Sequence, residues 1–149
     1  SVICWRRLFH LQKFMRPLLR LLHTRDGEAG SGVQQLGPYG IECLIPLEQD
    51  GALTAYRVRV AAGSRTSTSY HVIAEELYYV ISGSGTAWLD GVAHELRPVD
   101  FLRLPPGTRH AFETAAEDLV MLDIHSPGSR PDRDVYFEGP APEGFGTQP

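Results

Sequence analysis

Long hydrophobic runs are missing from this sequence of 149 residues, and so is an excess of basic charge. No apolar stretch approaches the roughly 20 residues that a membrane-spanning helix needs, which excludes a multi-span membrane protein. The formal net charge of −4 argues against nucleic-acid binding, because a phosphate backbone attracts a basic surface. The sequence therefore predicts neither a membrane nor a nucleic acid as a partner.

Cysteine is also scarce, with Cys4 and Cys43 as the only two. Two thiols cannot form a disulfide-rich scaffold or a four-thiolate zinc site. They are typical of a reduced cytoplasmic protein, in which a free cysteine usually packs as a small apolar side chain. The hydrophobic fraction of 42% is ordinary for a globular protein, so a chain of this length can form one domain with a substantial core.

The basic residues are concentrated near the N-terminus. Residues 1–23 carry five of the 14 basic side chains and no acidic one. Leucine and methionine recur there at intervals of three and four, which predicts a basic amphipathic helix that Pro17 should kink or restart. We interpret this segment as an arm that packs on the domain or on a partner subunit. A targeting presequence, or added sequence before a natural start at Met15, are the alternatives.

The composition divides the rest of the chain into three parts. Residues 24–40 are rich in Gly, Ser and acidic residues, which predicts a mobile linker. Residues 41–127 contain short runs of β-branched and aromatic residues, and Asp50-Gly51 and Asp90-Gly91 are hairpin signals between such runs. This pattern predicts an all-β sandwich or barrel. Residues 128–149 are rich in Pro and Gly, and we expect an extended tail whose last ten residues are loose.

Three potential metal ligands lie in two predicted strand segments. His71 and Glu76 belong to the first segment, and His110 follows 34 residues after Glu76, in a strand that can pair beside it. Two imidazoles and one carboxylate on one face form a facial triad, which leaves coordination positions open for water, O₂ or a substrate. A buried carboxylate beside two histidines is better explained by a cation than by packing, because an ionised carboxylate needs compensation.

These segments resemble the two motifs of the cupin family. The first motif is matched by Gly63-x5-Ser69-x-His71-x4-Glu76-x6-Gly83. The second motif is matched by Pro105-x-Gly107-x2-His110. The resemblance implies a jelly-roll β-barrel of six to eight strands that holds a metal ion inside its mouth with His71, Glu76 and His110. The chain departs from the first motif at Ser69, where a histidine belongs, so three protein ligands are expected instead of four.

Tyr78 and Ser69 are candidate catalytic residues beside this site. By strand alternation Tyr78 points the same way as Glu76, so its hydroxyl could reach a substrate and relay a proton; a plain core tyrosine is the alternative. The Ser69 hydroxyl could bond a substrate oxygen. Asp123 and His125 share one face of a later strand. We expect the apolar face of that strand to face the core, which leaves both outside, whereas the reverse orientation makes them acid–base candidates.

We therefore expect a small metal-dependent cupin enzyme acting on a small organic molecule, with one divalent transition metal ion. Fe(II) is the first choice, and Zn, Ni or Mn are alternatives. The resemblance favours O₂-dependent oxidation, then isomerisation, cyclisation or lyase chemistry, in the manner of cupins of secondary metabolism. A non-catalytic small-ligand-binding cupin with a degenerate metal site at Ser69 is the alternative. The family also implies a homodimer, and the cysteine content fits a cytoplasmic location.

Overall fold

The computed structural model describes residues 19–25 and 32–146, and most of these lie in β-strands or the turns that join them. In chain order the strands are β1 Val33–Leu36, β2 Tyr39–Cys43, β3 Thr54–Val60, β4 Ser69–Tyr70, β5 Glu75–Gly83, β6 Gly85–Leu89, β7 Val92–Leu96, β8 Phe101–Leu104, β9 His110–Glu113, β10 Leu119–Ser126 and β11 Tyr136–Phe137. Within the described ranges the one helical element is a 3₁₀ turn at Leu47–Gln49. The all-β prediction is confirmed.

The strands form two antiparallel sheets that enclose a shared interior. One sheet has the order β1-β2-β3-β10-β5-β8, and the other has the order β11-β4-β9-β6-β7. Long crossovers bring strands that are distant in sequence into contact, as where β10 lies between β3 and β5. This is the double-sheet jelly-roll arrangement, in which alternate side chains of every strand point inward.

The register stacks the inward side chains in layers. In the pairing of β10 with β5, the inward partners are His125 with Glu76, Asp123 with Tyr78 and Met121 with Val80. Each strand therefore runs from polar inward residues at one end to apolar ones at the other. We call the polar end the mouth (Thr54, Glu76, His110 and His125) and the apolar end the base (Val60, Val80, Leu119 and Met121).

The base holds the barrel together. Its four side chains are between 0% and 1% exposed. Burying one side chain of this kind contributes roughly 1.5–3 kcal/mol, so the base supplies a large part of the hydrophobic stabilisation. A polar mouth can be tolerated because the opposite end of the same strands is packed in this way.

Two tight turns hold the strands that carry the site. Asp90 and Gly91 both have positive φ, 47° and 79°, and they connect β6 to β7 as the predicted two-residue hairpin. The Asp90 carboxylate accepts a hydrogen bond from the Arg109 backbone N–H (2.8 Å), which anchors the residue before His110. Gly83 ends β5 with φ of 80°, and a Cβ there would lie 1.7 Å from the Asp118 carbonyl oxygen. Only glycine fits that approach.

The first sheet begins earlier than the composition predicts. Residues 24–40 are expected to be a linker, but β1 and the start of β2 form a hairpin there, with Val33 opposite Glu42. Leu36 is buried in the core, which explains why this segment is ordered despite its glycines. Of the predicted helical arm, residues 19–23 are described and are not helical, whereas residues 1–18 lie outside the described residues.

The C-terminal tail packs on the barrel more closely than its Pro and Gly content suggests. β11 pairs with β4, placing Phe137 opposite Ser69. Phe145 packs against Phe137 with ring centroids 4.8 Å apart, although it belongs to the ten residues predicted to be loose. Residues 147–149 lie outside the described part of the chain. The tail therefore forms part of the wall around the mouth.

Candidate metal centre

Glu76 is the central residue of the mouth. It is the second residue of β5, and the pairing of β5 with β8 and β10 on either side turns its side chain into the barrel. The residue is 2% exposed, and its Oε1 atom has no hydrogen-bond partner among the described residues. An unpartnered oxygen of a buried carboxylate is costly, so this position calls for a cation.

His71 and His110 lie on the Oε1 side of this carboxylate. The distance to Glu76 Oε1 is 3.4 Å from His71 Nε2 and 3.1 Å from His110 Nε2. His71 directly follows β4 and His110 begins β9, and both residues are buried. The structure thus brings together the three residues that the sequence predicts as ligands, with potential ligand atoms all within 4.8 Å of one another.

The outer nitrogens of both histidines have fixed partners. Nδ1 of His71 lies 2.6 Å from the Asp134 carbonyl oxygen, and Nδ1 of His110 lies 2.9 Å from the Thr108 carbonyl oxygen. A carbonyl can only accept, so each Nδ1 carries a proton and donates it. In the neutral ring Nε2 is then a bare lone pair aimed at Glu76, as in a metal-ligating histidine. Two lone pairs and one carboxylate oxygen fit a divalent transition metal ion.

The pKa values reflect the same arrangement. Burial alone would raise the pKa of Glu76, but His125 and His110 hold it well below its usual range, so the carboxylate is ionised. Burial opposes protonation of His71, yet the adjacent Glu76 carboxylate raises its pKa. Burial dominates at His110 and lowers its pKa. The mouth therefore holds a negative charge that its imidazoles compensate in the absence of a metal.

Asp123 and His125 point into the barrel, which makes the expected orientation of β10 wrong. Both are buried, whereas Leu122 and Ile124 face outward and are half-buried. The reason is the register, since Asp123 lies opposite Tyr78 and must share its face. Leu119 and Met121 lie on the same face as Asp123 and His125, so both faces of β10 carry apolar residues and the strand sequence alone does not decide between them.

These two residues approach the other oxygen of Glu76. His125 Nε2 lies 2.6 Å from Glu76 Oε2 and 3.7 Å from Asp123 Oδ1. Asp123 Oδ1 has no hydrogen-bond partner among the described residues. Burial, followed by the charge of Glu76, raises the pKa of Asp123 well above its ordinary value, which favours the neutral acid over the carboxylate at this position. Glu76, Asp123 and His125 form a second group of potential ligands around the same carboxylate.

The two predicted catalytic residues also line the cavity. Tyr78 lies one layer below Glu76, with its ring 4.9 Å from that of Phe112. Burial, with the charges of Asp123 and Glu76, raises the Tyr78 pKa well above its usual value, so its hydroxyl stays protonated. Ser69 lies opposite His110 in the β4–β9 pairing, and its Oγ is 3.3 Å from His110 Nε2.

Sequence reasoning missed the contribution of the tail. The Asp134 carboxylate accepts backbone N–H bonds from Val72, Ile73 and Ala74 at 2.9 to 3.2 Å, which fixes the loop between His71 and β5. Asp134 thus holds this loop with its side chain and His71 with its carbonyl. No motif signals this role, because the residue lies in a segment whose composition resembles a loose tail.

The cavity above the ligands has a volume of about 60 Å³, with room for an ion and a few waters. Much of its wall is apolar or aromatic, including Tyr39, Ile41, Tyr56, Val58, Val135, Phe137 and Phe145. Arg130 adds a guanidinium to the wall, held by Asp50 at 3.0 Å. A wider groove of about 550 Å³ lies next to this cavity and shares Ile41, Tyr56 and Arg130 with its wall.

Comparison with known proteins gives a consistent family. The family model described as a cupin domain matches residues 56–125. Quercetin 2,3-dioxygenase of Bacillus subtilis is 27% identical over 103 residues, which are 68% of this chain and 31% of that protein. The chain spans between 31% and 48% of the length of the curated relatives it matches. No helix in the described residues is long and apolar enough to cross a membrane.

Solved structures share the fold at low sequence identity. The polyketide cyclase RemF from Streptomyces resistomycificus superposes with a TM-score of 0.67, at 17% identity over 85% of this chain and 90% of that one. Streptomyces PAC13 with uridine gives a TM-score of 0.66 at 21% identity over 80% of this chain and 92% of that one. Pac13 is described as a nucleoside dehydratase.

Proposed function

Because this chain belongs to the cupin superfamily, we propose that it is a metal-dependent enzyme that acts on a small organic molecule. The observation that carries the proposal is Glu76 Oε1, a buried carboxylate oxygen that faces Nε2 of His71 and of His110 and has no hydrogen-bond partner within residues 19–25 and 32–146. Three electron-rich atoms in one buried place are stable together when a cation lies among them.

His71, Glu76 and His110 are the residues that would hold the ion. Mixed nitrogen and oxygen donors suit Fe(II), our first choice, and also Zn, Ni or Mn. When bound, such an ion supplies Lewis-acid activation of a substrate oxygen or a binding place for O₂. The carbonyls of Asp134 and Thr108 keep the two imidazoles turned toward Glu76, so little reorganisation is needed for loading.

Tyr78 and Ser69 are proposed to act on the substrate. The Tyr78 hydroxyl stays protonated in its buried layer, so it can donate a hydrogen bond or a proton to a substrate oxygen. The Ser69 hydroxyl lies beside His110 and can bond a second substrate oxygen. The aromatic wall excludes bulk water and offers apolar surface to an organic ligand.

The proposed reaction class rests on the open coordination positions of a three-ligand metal site and on the names of the similar proteins. The similar proteins reported above carry the names of a quercetin dioxygenase, a polyketide cyclase and a nucleoside dehydratase, all of which imply small organic substrates. We place O₂-dependent oxidation first, followed by isomerisation, cyclisation or lyase chemistry. A role in secondary metabolism is part of the same proposal.

The test is elemental analysis of the purified chain after reconstitution with Fe(II), Zn, Ni or Mn under anaerobic conditions. We expect about one ion per wild-type chain, and loss of that ion in His71→Ala and in Glu76→Ala. His94→Ala is the matched control, because His94 is an exposed histidine on β7. Folded wild type that takes up none of these ions would overturn the proposal and favour a non-catalytic barrel that binds a small ligand.

We also propose that the protein is a homodimer in the cytoplasm. The outer face of the first sheet exposes Tyr79, Ile81 and Phe101, which are 42%, 49% and 60% exposed. Tyr79 lies opposite Phe101 in the β5–β8 register, so they form a continuous apolar surface for a second copy. Sedimentation analysis of wild type and Phe101→Glu tests this, with a monomeric variant expected. The free thiol of Cys43 supports a reducing compartment.

A further inference from the structure

The first motif has Ser69 in place of a histidine and so lacks one nitrogen ligand. Another histidine, His125, contacts the Glu76 carboxylate from the sheet opposite Ser69. Ser69 and His110 lie on β4 and β9 of the second sheet, whereas His125 lies on β10 of the first. His125 is 5% exposed, and its Nε2 lies 2.6 Å from Glu76 Oε2. The carboxylate is therefore approached by imidazole nitrogens on both of its oxygens.

The hydrogen bonds around His125 prepare the same tautomer as in the two predicted ligands. Nδ1 of His125 lies 3.5 Å from the Thr54 hydroxyl oxygen. That hydroxyl donates its own proton to the Ser129 carbonyl and accepts the Ser129 backbone N–H, each at 3.0 Å. A hydroxyl has one proton and two lone pairs, so the remaining lone pair of Thr54 accepts Nδ1–H of His125. Nε2 of His125 lies 2.6 Å from Glu76 Oε2, so it donates a hydrogen bond to that oxygen, and a bound ion would take the place of the donated proton.

The three rings are packed as one group. The centroid of His125 lies 4.6 Å from that of His71, and the centroid of His71 lies 5.5 Å from that of His110. Each ring bonds outward through Nδ1 to a fixed acceptor and directs Nε2 to Glu76. His125 differs from the two motif histidines in the oxygen that it faces, which is Oε2 instead of Oε1 of the same carboxylate.

We propose that His125 takes the place of the missing motif histidine and is a nitrogen ligand of the ion held by His71, Glu76 and His110. The inference rests on the proposed function, because it concerns the same ion. It gives the site three imidazoles and one carboxylate, with the replacement nitrogen supplied by β10. Ser69 is then released from metal binding, and its hydroxyl is available to the substrate.

The test counts nitrogen ligands in the full chain loaded with Co(II) or Zn(II). X-ray absorption spectroscopy should give three imidazoles for wild type and two for His125→Gln, with Kd for the ion raised by about 100-fold or more in chelator competition. Glutamine can still donate a hydrogen bond to Glu76 Oε2, so the variant keeps that contact and removes only the imidazole. If His125 merely positioned Glu76 by a hydrogen bond, its loss would lower metal affinity by only about 10–100-fold. His94→Gln is the control and should leave count and Kd unchanged. His125→Asn serves if the first variant does not fold.

A second variant tests the replacement itself. Adding Ser69→His to His125→Gln returns a histidine to the motif position, and we expect the third imidazole and most of the affinity to return. One ion per wild-type chain bound by two imidazoles, with no change in His125→Gln, would overturn this inference and leave the proposed function standing. Two ions per chain would also overturn it, because Glu76 would then bridge one ion held with His71 and His110 and a second ion held with Asp123 and His125. Wild type that binds no ion overturns both proposals.

Discussion

The mouth and the base of the barrel are built by the same strands with opposite chemistry. On β5 and β10 the base pair is Val80 with Met121, and two layers away the mouth pair is Glu76 with His125. The base fills space with apolar atoms, whereas the mouth buries charge and, among the residues that the structure describes, leaves one oxygen each of Glu76 and Asp123 without a hydrogen-bond partner. The difference indicates that stability comes mainly from one end, whereas the proposed metal site lies at the other, so the two should be separable by mutation.

The largest effect is expected at the base. Leu119→Ala removes a fully buried side chain far from the ligands, which should lower the free energy of unfolding by about 2–5 kcal/mol. Denaturant titration measures this loss, and metal content per folded chain should stay at the wild-type value. A variant that stays folded but no longer binds the ion would show that base and mouth are coupled.

Metal binding should stabilise the mouth without help from the base. An ion at about 100 times its Kd should raise the free energy of unfolding of wild type by about 2.7 kcal/mol, because it binds only the folded chain. Glu76→Ala should gain nothing from the same ion, and Leu119→Ala should gain the full amount. Thermal unfolding with and without the ion measures the three increments. An equal gain in Glu76→Ala would place the ion elsewhere.

Asp134→Ala tests the part of the mouth that the tail supplies. The change leaves the backbone N–H groups of Val72, Ile73 and Ala74 without their carboxylate acceptor, at an expected cost of about 1–3 kcal/mol. Metal affinity should fall by about 10-fold, because the loop that carries His71 loosens. Denaturant titration and chelator competition measure both. Unchanged affinity would show that the Asp134 carbonyl alone positions His71.

The smallest effect, at a pH near the ordinary aspartate pKa, is expected for Asp123→Asn in metal-free protein. Because burial and Glu76 raise the pKa of Asp123, the folded chain holds a proton there that the unfolded chain releases above the ordinary aspartate pKa. Wild-type stability should therefore fall as pH rises from that value through the raised pKa, whereas Asn has no such proton. The difference in free energy of unfolding should grow in favour of the variant as the pH rises from the ordinary aspartate pKa through the raised pKa. A constant difference would contradict the buried neutral acid.

Much of the fold was predictable because the strands and turns carry local signals. The runs that contain β5, β6, β8, β9 and β10 alternate or end at Gly, Pro or Asp, and Asp90-Gly91 forms the expected hairpin. β1 was not predicted, since its burial depends on Leu36 meeting a core made by distant strands. The composition of residues 24–40 alone predicts a linker.

The candidate site likewise contains residues that local sequence signals predict and residues whose placement depends on distant parts of the chain. His71, Glu76 and His110 were found because their spacing is encoded within motifs, and the structure brings them together. Their role as ligands stays a prediction. The inward orientation of Asp123 and His125 could not be read from β10 alone, because both of its faces contain apolar residues and the register with Tyr78 decides between them. Asp134 acts through backbone atoms, which leave no pattern in a sequence.

The docking of the tail also sets the order in which the mouth is completed during synthesis. A chain that has emerged from the ribosome only as far as β10 already contains His71, Glu76, His110 and His125. It still lacks the Asp134 carbonyl that turns the His71 ring and the carboxylate that fixes the following loop. The orientation of the His71 ring in the proposed metal site is therefore completed only once residue 134 has been translated.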